Sequence, residues 1–196
     1  MSLILSGTDG LSDVDGSAST PAIRGTDANT GIFFPAADTI AFAEGGTEVM
    51  RIDSAGRLTK PYQPAFFAHT YSTNGSLIGG TYYTVLFTTV VTNRGNHYNA
   101  GSGVYTCPVA GDYYVYFNMN LRTTGLEWSS AFLLKNSTNI INSWSQPNAD
   151  NQYDNNVVSC VLNCAANDTI IFGFHKDYGS PSTSSNYIHA SIYLLG

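Results

Sequence analysis

"NHYNAGSGVYTCPVAGDYYVYF", Asn96–Phe117, reads as two strands joined by a tight Val-Ala-Gly corner. The second strand runs on to Leu121 with period two. Tyr113, Val115, Phe117, Met119 and Leu121 make an apolar face, while Tyr114, Tyr116, Asn118 and Asn120 make a polar yet aromatic one. Such alternation belongs to a strand with one face on a core. Tyrosine on the other face predicts a sheet covered by something other than water, read here as a subunit interface. The final strand repeats the pattern: Ile188, Ala190, Ile192 and Leu194 against Tyr187, His189, Ser191 and Tyr193.

Outward from this stretch, β-branched and aromatic runs follow one another from Ala65 to the end. "AFFAHTY", "YYTVLFTTVV", "SAFLLKN", "NVVSCVLN" and "DTIIFGFHK" are separated by Gly, Asn, Asp and Pro at the spacing of a sandwich. Residues 1–60 differ. They are rich in Gly, Asp, Ser, Thr and Ala, with short apolar snatches and glycine turns at Gly45-Gly46 and Gly56. So few apolar residues cannot offset the entropy of ordering, which predicts order only against copies of itself or a partner. The reading divides the chain into an attachment segment (1–20), an intertwined β-rich stalk (21–60), a proline hinge (61–64) and a head (65–196). In the first segment Leu3, Ile4, Leu5 and Leu11 form an apolar hook.

Charged residues make up only 11% of the 196 residues, against ~25% in ordinary soluble domains. The net charge of −6 offers no basic patch to nucleic acid. No apolar run approaches the ~20 residues of a membrane span, and MSLILSGTDG is too short in apolar residues for a signal peptide. The expectation is synthesis in a bacterial host cytoplasm, with no membrane insertion. Cys160 and Cys164, if on one strand, point the same way ~13 Å apart, beyond disulfide reach. With Cys107 they are expected as buried free thiols.

Phe87, Asn93, Tyr98 and Tyr105, followed by Gly111-x-Tyr113-x-Val115-x-Phe117, have a recognisable spacing. It resembles the signature of the globular head of complement subcomponent C1q, related to the tumour-necrosis-factor-like trimers. Tyr105 and Val115 stand where that family prefers Phe. The resemblance runs from about Pro64 to Gly196 and implies an all-β fold: a ten-strand jelly roll assembled as a homotrimer. Residues 20–58 resemble a stalk module of bacteriophage tail fibres, through "TGIFF", "DTIAF" and "GGTEVMRIDSAGRL". Together these imply a short viral fibre with a knob.

Alternate connections of an antiparallel sandwich lie at one end, which predicts tip loops at 142–156 and 176–186. Aromatics interleaved with amides and carboxylates there suit a sugar. The candidate receptor-binding residues are Trp144, Gln146, Asn148, Asp150, Gln152, Tyr153, Asp154, Asp177 and Tyr178. The candidate interface residues are Tyr114, Tyr116, Tyr187, His189 and Tyr193; Leu3, Ile4, Leu5 and Leu11 are the candidates for virion attachment. Asp150, Asp154 and Asp177 offer oxygens to calcium but lack an EF-hand spacing, so no cofactor is assigned. His69, His97, His175 and His189 show no metal spacing, and His69 and His189 read as satisfied interface histidines. With no G-x-S-x-G elbow, no enzyme is expected. The reading is a homotrimeric phage fibre whose head binds a host-surface glycan or protein, with the N-terminus held by other virion proteins. A structural decoration protein and a bacterial C1q-like lectin remain open alternatives.

Overall fold

The computed structural model describes residues 4–6, 10–12, 14–71, 80–122, 128–146, 153–176 and 187–195; for 4–6, 10–12, 121–122, 153–154 and 176 the description is of the backbone alone. No α-helix occurs among them. The chain divides into two compact units, Met1–Gln63 and Pro64–Gly196.

In the first unit, β1 (Ile4–Ser6) pairs with β2 (Gly10–Ser12), placing Leu5 opposite Leu11. A five-stranded antiparallel meander follows, made of β3 (Ile23–Arg24), β4 (Gly31–Phe33), β5 (Ile40–Glu44), β6 (Thr47–Ile52) and β7 (Leu58–Thr59). Gly45 and Gly46 both have positive φ, 57° and 78°, as a two-residue hairpin turn requires. One face buries Phe33, Ala41 and Ala43, with Ala18 packed against them. The register puts Ile23, Ile32, Phe42 and Met50 side by side on the opposite face, with Ile40, Ile52 and Leu58 in the next row. Ile23, Ile40, Ile52 and Leu58 are exposed there. A sheet with seven apolar residues on one face and three in its core is half a structure.

The second unit is a two-sheet sandwich. One sheet has the order β10 (Thr89–Arg94), β8 (Ala65–Thr70), β18 (Tyr187–Leu194), β13 (Gly111–Arg122), β16 (Tyr153–Cys164). The other runs β11 (Tyr98–Asn99), β12 (Val104–Thr106), β17 (Thr169–Lys176), β14 (Ser129–Lys135), β15 (Thr138–Ser145). β9 (Thr81–Thr84) shares an edge of β17 with β12. The described head therefore has ten strands in two paths of five, plus one short additional strand.

Two expectations need correction. "YYTVLFTTVV" is not one strand: β9 belongs to the second sheet and β10 to the first. The chain crosses the sandwich between them, burying Val85 and Phe87 on the way. Likewise 142–156 is not one loop, because β15 reaches Ser145 and β16 starts at Tyr153. Cross-strand pairing holds Asn142–Ser145 against β14, and backbone pairing outweighs the turn-like composition.

The Val-Ala-Gly corner also crosses from one sheet to the other, joining β12 to β13. The Tyr113 hydroxyl donates to the Val109 carbonyl at 2.9 Å across it. Residues of the recognised spacing fill the core: Phe87, Tyr98, Tyr105, Tyr113, Val115 and Phe117 are all buried. The amide of Asn93 bonds both the carbonyl and the N–H of Tyr98, each at 3.0 Å, doing the work of a missing strand pair. Cys107, Cys160 and Cys164 are free, and burial pushes the Cys107 thiol up to about 12, so it is inert at neutral pH.

The end of the sandwich near Pro64 is tied by Asp168. It accepts from Asn136 Nδ2 at 2.7 Å and the Ala165 N–H at 2.8 Å, and pairs with Lys135 at 2.9 Å. The Asn136 bond foremost, then Lys135 and the Ala165 amide, lower Asp168 from the ordinary 3.8 to about 2. Its contribution is therefore complete above pH 3.8 and disappears as the pH falls through about 2. Chemical denaturation across this window should show a wild-type loss of stability that is smaller in Asp168→Asn. Tyr105 supplies a second test. Its hydroxyl is buried without a partner among the described residues, a cost that Phe avoids. Tyr105→Phe should raise stability by about 1 kcal/mol in urea titration.

Candidate functional site

On the first sheet, alternation sends one residue of each pair outward, and register lines these up across strands. Thr89, His69, His189, Asn118 and Val157 form one outer row; Phe67, Ser191, Tyr116 and Ser159 form the next. Ala65, Tyr193, Tyr114 and Val161 lie on one side of these, and Tyr187, Asn120 and Asn155 on the other. All five predicted interface residues thus share one face. Tyr116 stacks on His189 at 5.6 Å, and Tyr71 meets Tyr187 edge-on at 5.4 Å. A hollow of about 240 Å³ is lined by Phe67, His69, Tyr71, Tyr187 and His189. Among the described side chains of the face, the charged ones stand at its margins, Arg94 on the edge strand and Asp112 near Pro64.

His69 and His189 are directly opposed across β8 and β18. Burial first, and then the neighbouring His69, hold His189 below its ordinary 6.5, which favours its neutral form at neutral pH. Within the single chain the Nδ1 of His69 is buried with no partner among the described residues. The side chain faces out of the sheet, in the row of Thr89, His189 and Asn118.

The far end of the head is defined by converging strand termini. Thr70 is opposite Ile188, Asn120 opposite Tyr187, Arg122 opposite Tyr153, and Ser129 opposite both Ser145 and Lys176. Connections 146–152 and 177–186 therefore leave from the same end, away from Pro64. Asn148, Asp150, Gln152, Asp177 and Tyr178 lie outside the described residues. Tyr153 and Asp154 open β16, where only the backbone is described. Gln146 is exposed just past β15. Leu3 is likewise outside, while Ile4, Leu5 and Leu11 sit in the β1–β2 pair. Beneath this end, Asn156 is fully buried and donates to Ser129 Oγ at 2.9 Å and Ser145 Oγ at 2.8 Å. That bond pair ties β16 to the second sheet where the connections emerge.

Trp144 is the predicted site residue whose surroundings differ most from expectation. It stands on β15, on the outer face of the second sheet, half exposed. Register aligns Tyr82, His175, Ser130 and Trp144 across four strands. The His175 ring lies 4.4 Å from Tyr82 and 6.0 Å from Trp144. In the next row are Thr84, Gly173, Phe132 and Asn142. Phe132 lies across Gly173, where a Cβ would come within 2.2 Å of its ring, and touches Tyr82 edge-on at 5.7 Å. Sequence reasoning missed Tyr82, Phe132 and His175. The signal was Gly173, a glycine in mid-strand that marks a close approach.

Among the described residues no group of three or more His, Cys, Asp or Glu is placed to hold a metal.

Two antiparallel sheets face to face, linked by chain crossings between them, define a jelly-roll β-sandwich of the C1q kind. Residues 65–195 match the family model of the C1q domain, and the chain belongs to that family. Among solved structures, the globular domain of the zebrafish complement 1qA protein is similar at a TM-score of 0.53 and 17% identity, covering 68% of this chain and 98% of that one. The Eiger TNF of S. frugiperda matches at 0.48 and 9%, covering 68% and 94%.

Gly173 gives the local test. Gly173→Ala drives a methyl into Phe132 and the Tyr83 carbonyl, and should cost about 1–3 kcal/mol in thermal or urea unfolding. The paired change Gly173→Ala with Phe132→Leu should recover part of it.

Proposed function

We propose that this chain is a homotrimeric bacteriophage fibre or spike protein. Its C1q-like head binds a host-surface receptor, and its N-terminal unit forms an intertwined stalk held to the virion through Leu3, Ile4, Leu5 and Leu11. The observation that carries the assembly is that each unit has an outward sheet face depleted of charge. In the first it is the row pair Ile23–Met50 and Ile40–Leu58; in the second it is the tyrosine and histidine face. A lone chain would leave both to water, and large uncharged apolar patches mark association sites. Copies of the same chain are the fitting occupant, because symmetric association covers one face in every protomer at once.

The phage assignment is supported by the likeness of residues 20–58 to tail-fibre stalks. Receptor binding is supported by the connections gathered at one end, with exposed aromatics near them. Several weak sites on one particle raise avidity without new contacts. No bond is broken in such a role, so no catalytic residue is assigned.

Sedimentation should give about 63 kDa, three times the 21.0 kDa chain. Tyr116→Asp should weaken the trimer, so that it dissociates at a higher protein concentration than wild type, with unchanged β-sheet circular dichroism. Because His189 is lowered by burial, its neutral form is favoured from neutral pH down to its folded value. Association should therefore hold at neutral pH and weaken only as the pH falls below 6.5 and through that lowered value. The adhesion half is checked by binding of the labelled protein to a panel of bacterial cells. Binding to no strain, together with labelling of phage capsids by antibody, would replace adhesion by a decoration role.

A further inference from the structure

The tip connections are not the feature best built for a ligand. Tyr82, His175 and Trp144 form a continuous aromatic row on the outer face of the second sheet, with Phe132 beside it. Three features distinguish the row from ordinary surface aromatics.

The first is exposure with fixed geometry. Tyr82 is 68% and Trp144 49% exposed, yet both lie over rigid, paired strands. Their backbones are three strand spacings apart, about 14 Å. The His175 ring lies between them, so their centroids lie within about 10 Å of each other. Rings set side by side on paired strands present one shallow surface, with less side-chain freedom left to lose on binding.

The second is a buried polar atom under that surface. His175 is more than nine-tenths buried, and its Nδ1 has no partner among the described residues. Buried polar atoms are normally satisfied, and an exception calls for a partner from outside. An imidazole nitrogen can accept from or donate to a hydroxyl, according to tautomer.

The third is the absence of charge. Besides the Tyr82 hydroxyl and the Trp144 indole N–H, the polar groups within the two rows are those of His175, Ser130, Thr84 and Asn142, with no carboxylate, ammonium or guanidinium. A ligand for this surface needs an apolar face to stack on the rings, hydroxyls to meet the imidazole, amide and threonine, and no net charge.

We propose that Tyr82, His175 and Trp144, with Phe132, Thr84 and Asn142 at their side, bind a neutral oligosaccharide about two sugar rings long. A pyranose has such a C–H face and a hydroxyl rim. This inference rests on the adhesion reading above and assigns its chemistry to a sheet surface instead of the tip connections.

The test is a glycan array probed with the full-length protein, carrying neutral probes (maltotriose, N-acetyllactosamine, chitotriose) and sialylated and sulfated ones. At least one neutral probe should be retained, with little change at high salt, since no ion pair is involved. Tyr82→Ala and Trp144→Ala should each weaken it by about tenfold or more. Tyr82→Phe and Trp144→Phe, which keep a ring, should stay within about threefold of wild type. Tyr62→Ala, an exposed tyrosine of the first unit, should have no effect. Retention of no neutral probe, salt-sensitive binding of acidic probes alone, or equal binding by both alanine variants overturns the proposal. The same proteins are scored on bacterial cells. Cell binding unaffected by the alanine variants removes the platform and leaves adhesion standing. Neutral-probe binding without cell binding removes adhesion and leaves the platform.

Discussion

The packing of Phe172 between the two sheets is the contact on which the head depends. Its ring lies 5.2 Å from Phe117 on β13 and 5.9 Å from Phe87 on the crossing between β9 and β10. All three are fully buried. Phe117 fixes which residues of β13 face inward, because a strand turned by one residue would send its whole core set to the other side. Tyr114, Tyr116 and Asn118 are outward for that reason alone. Phe172 does the same for β17, sending Gly173 and His175 to the opposite outer surface. One ring cluster therefore determines both the outer aromatic face of the first sheet and the aromatic row of the second.

The two units meet the same physical problem in different ways. The head has enough apolar residues to close a core between sheets, and its outer tyrosines are surplus to it. The meander of the first unit closes only Phe33, Ala41 and Ala43, and its larger apolar set faces out. Burial near ~25 cal/mol per Å² has little to act on in an isolated copy. A second layer over that face would supply what a single sheet lacks.

Polar groups inside the head fix alignment more than they add net stability. Asn93 replaces a strand partner for Tyr98, Asn156 bridges β16 to Ser129 and Ser145, and Asp168 gathers Asn136, Lys135 and Ala165. Asn93 and Asn156 serve buried or half-buried groups that would otherwise cost more than the bond returns, whereas the bonds of the Asp168 cluster are exposed. They stand at opposite ends of the sandwich, so its connections start from fixed points.

The amino-acid sequence alone determined the fold class and the two-sidedness of the strands. Period-two patterning is local, and Tyr113–Asn120 carries it without reference to any other segment. The gathering of Tyr114, Tyr116, Tyr187, His189 and Tyr193 on one face was legible for the same reason, since each strand announced its own outer set. Tertiary structure decided what register decides. Tyr82, Phe132, Trp144 and His175 come from four strands up to 93 positions apart, and nothing local aligns them. Trp144 looked like a loop residue because Asn and Ser surround it, and pairing with β14 made it a strand residue. The glycine at 173 was visible as an interruption, but only the approach of Phe132 explains it. Local pattern encodes which way a side chain points; long-range pairing encodes what it points beside.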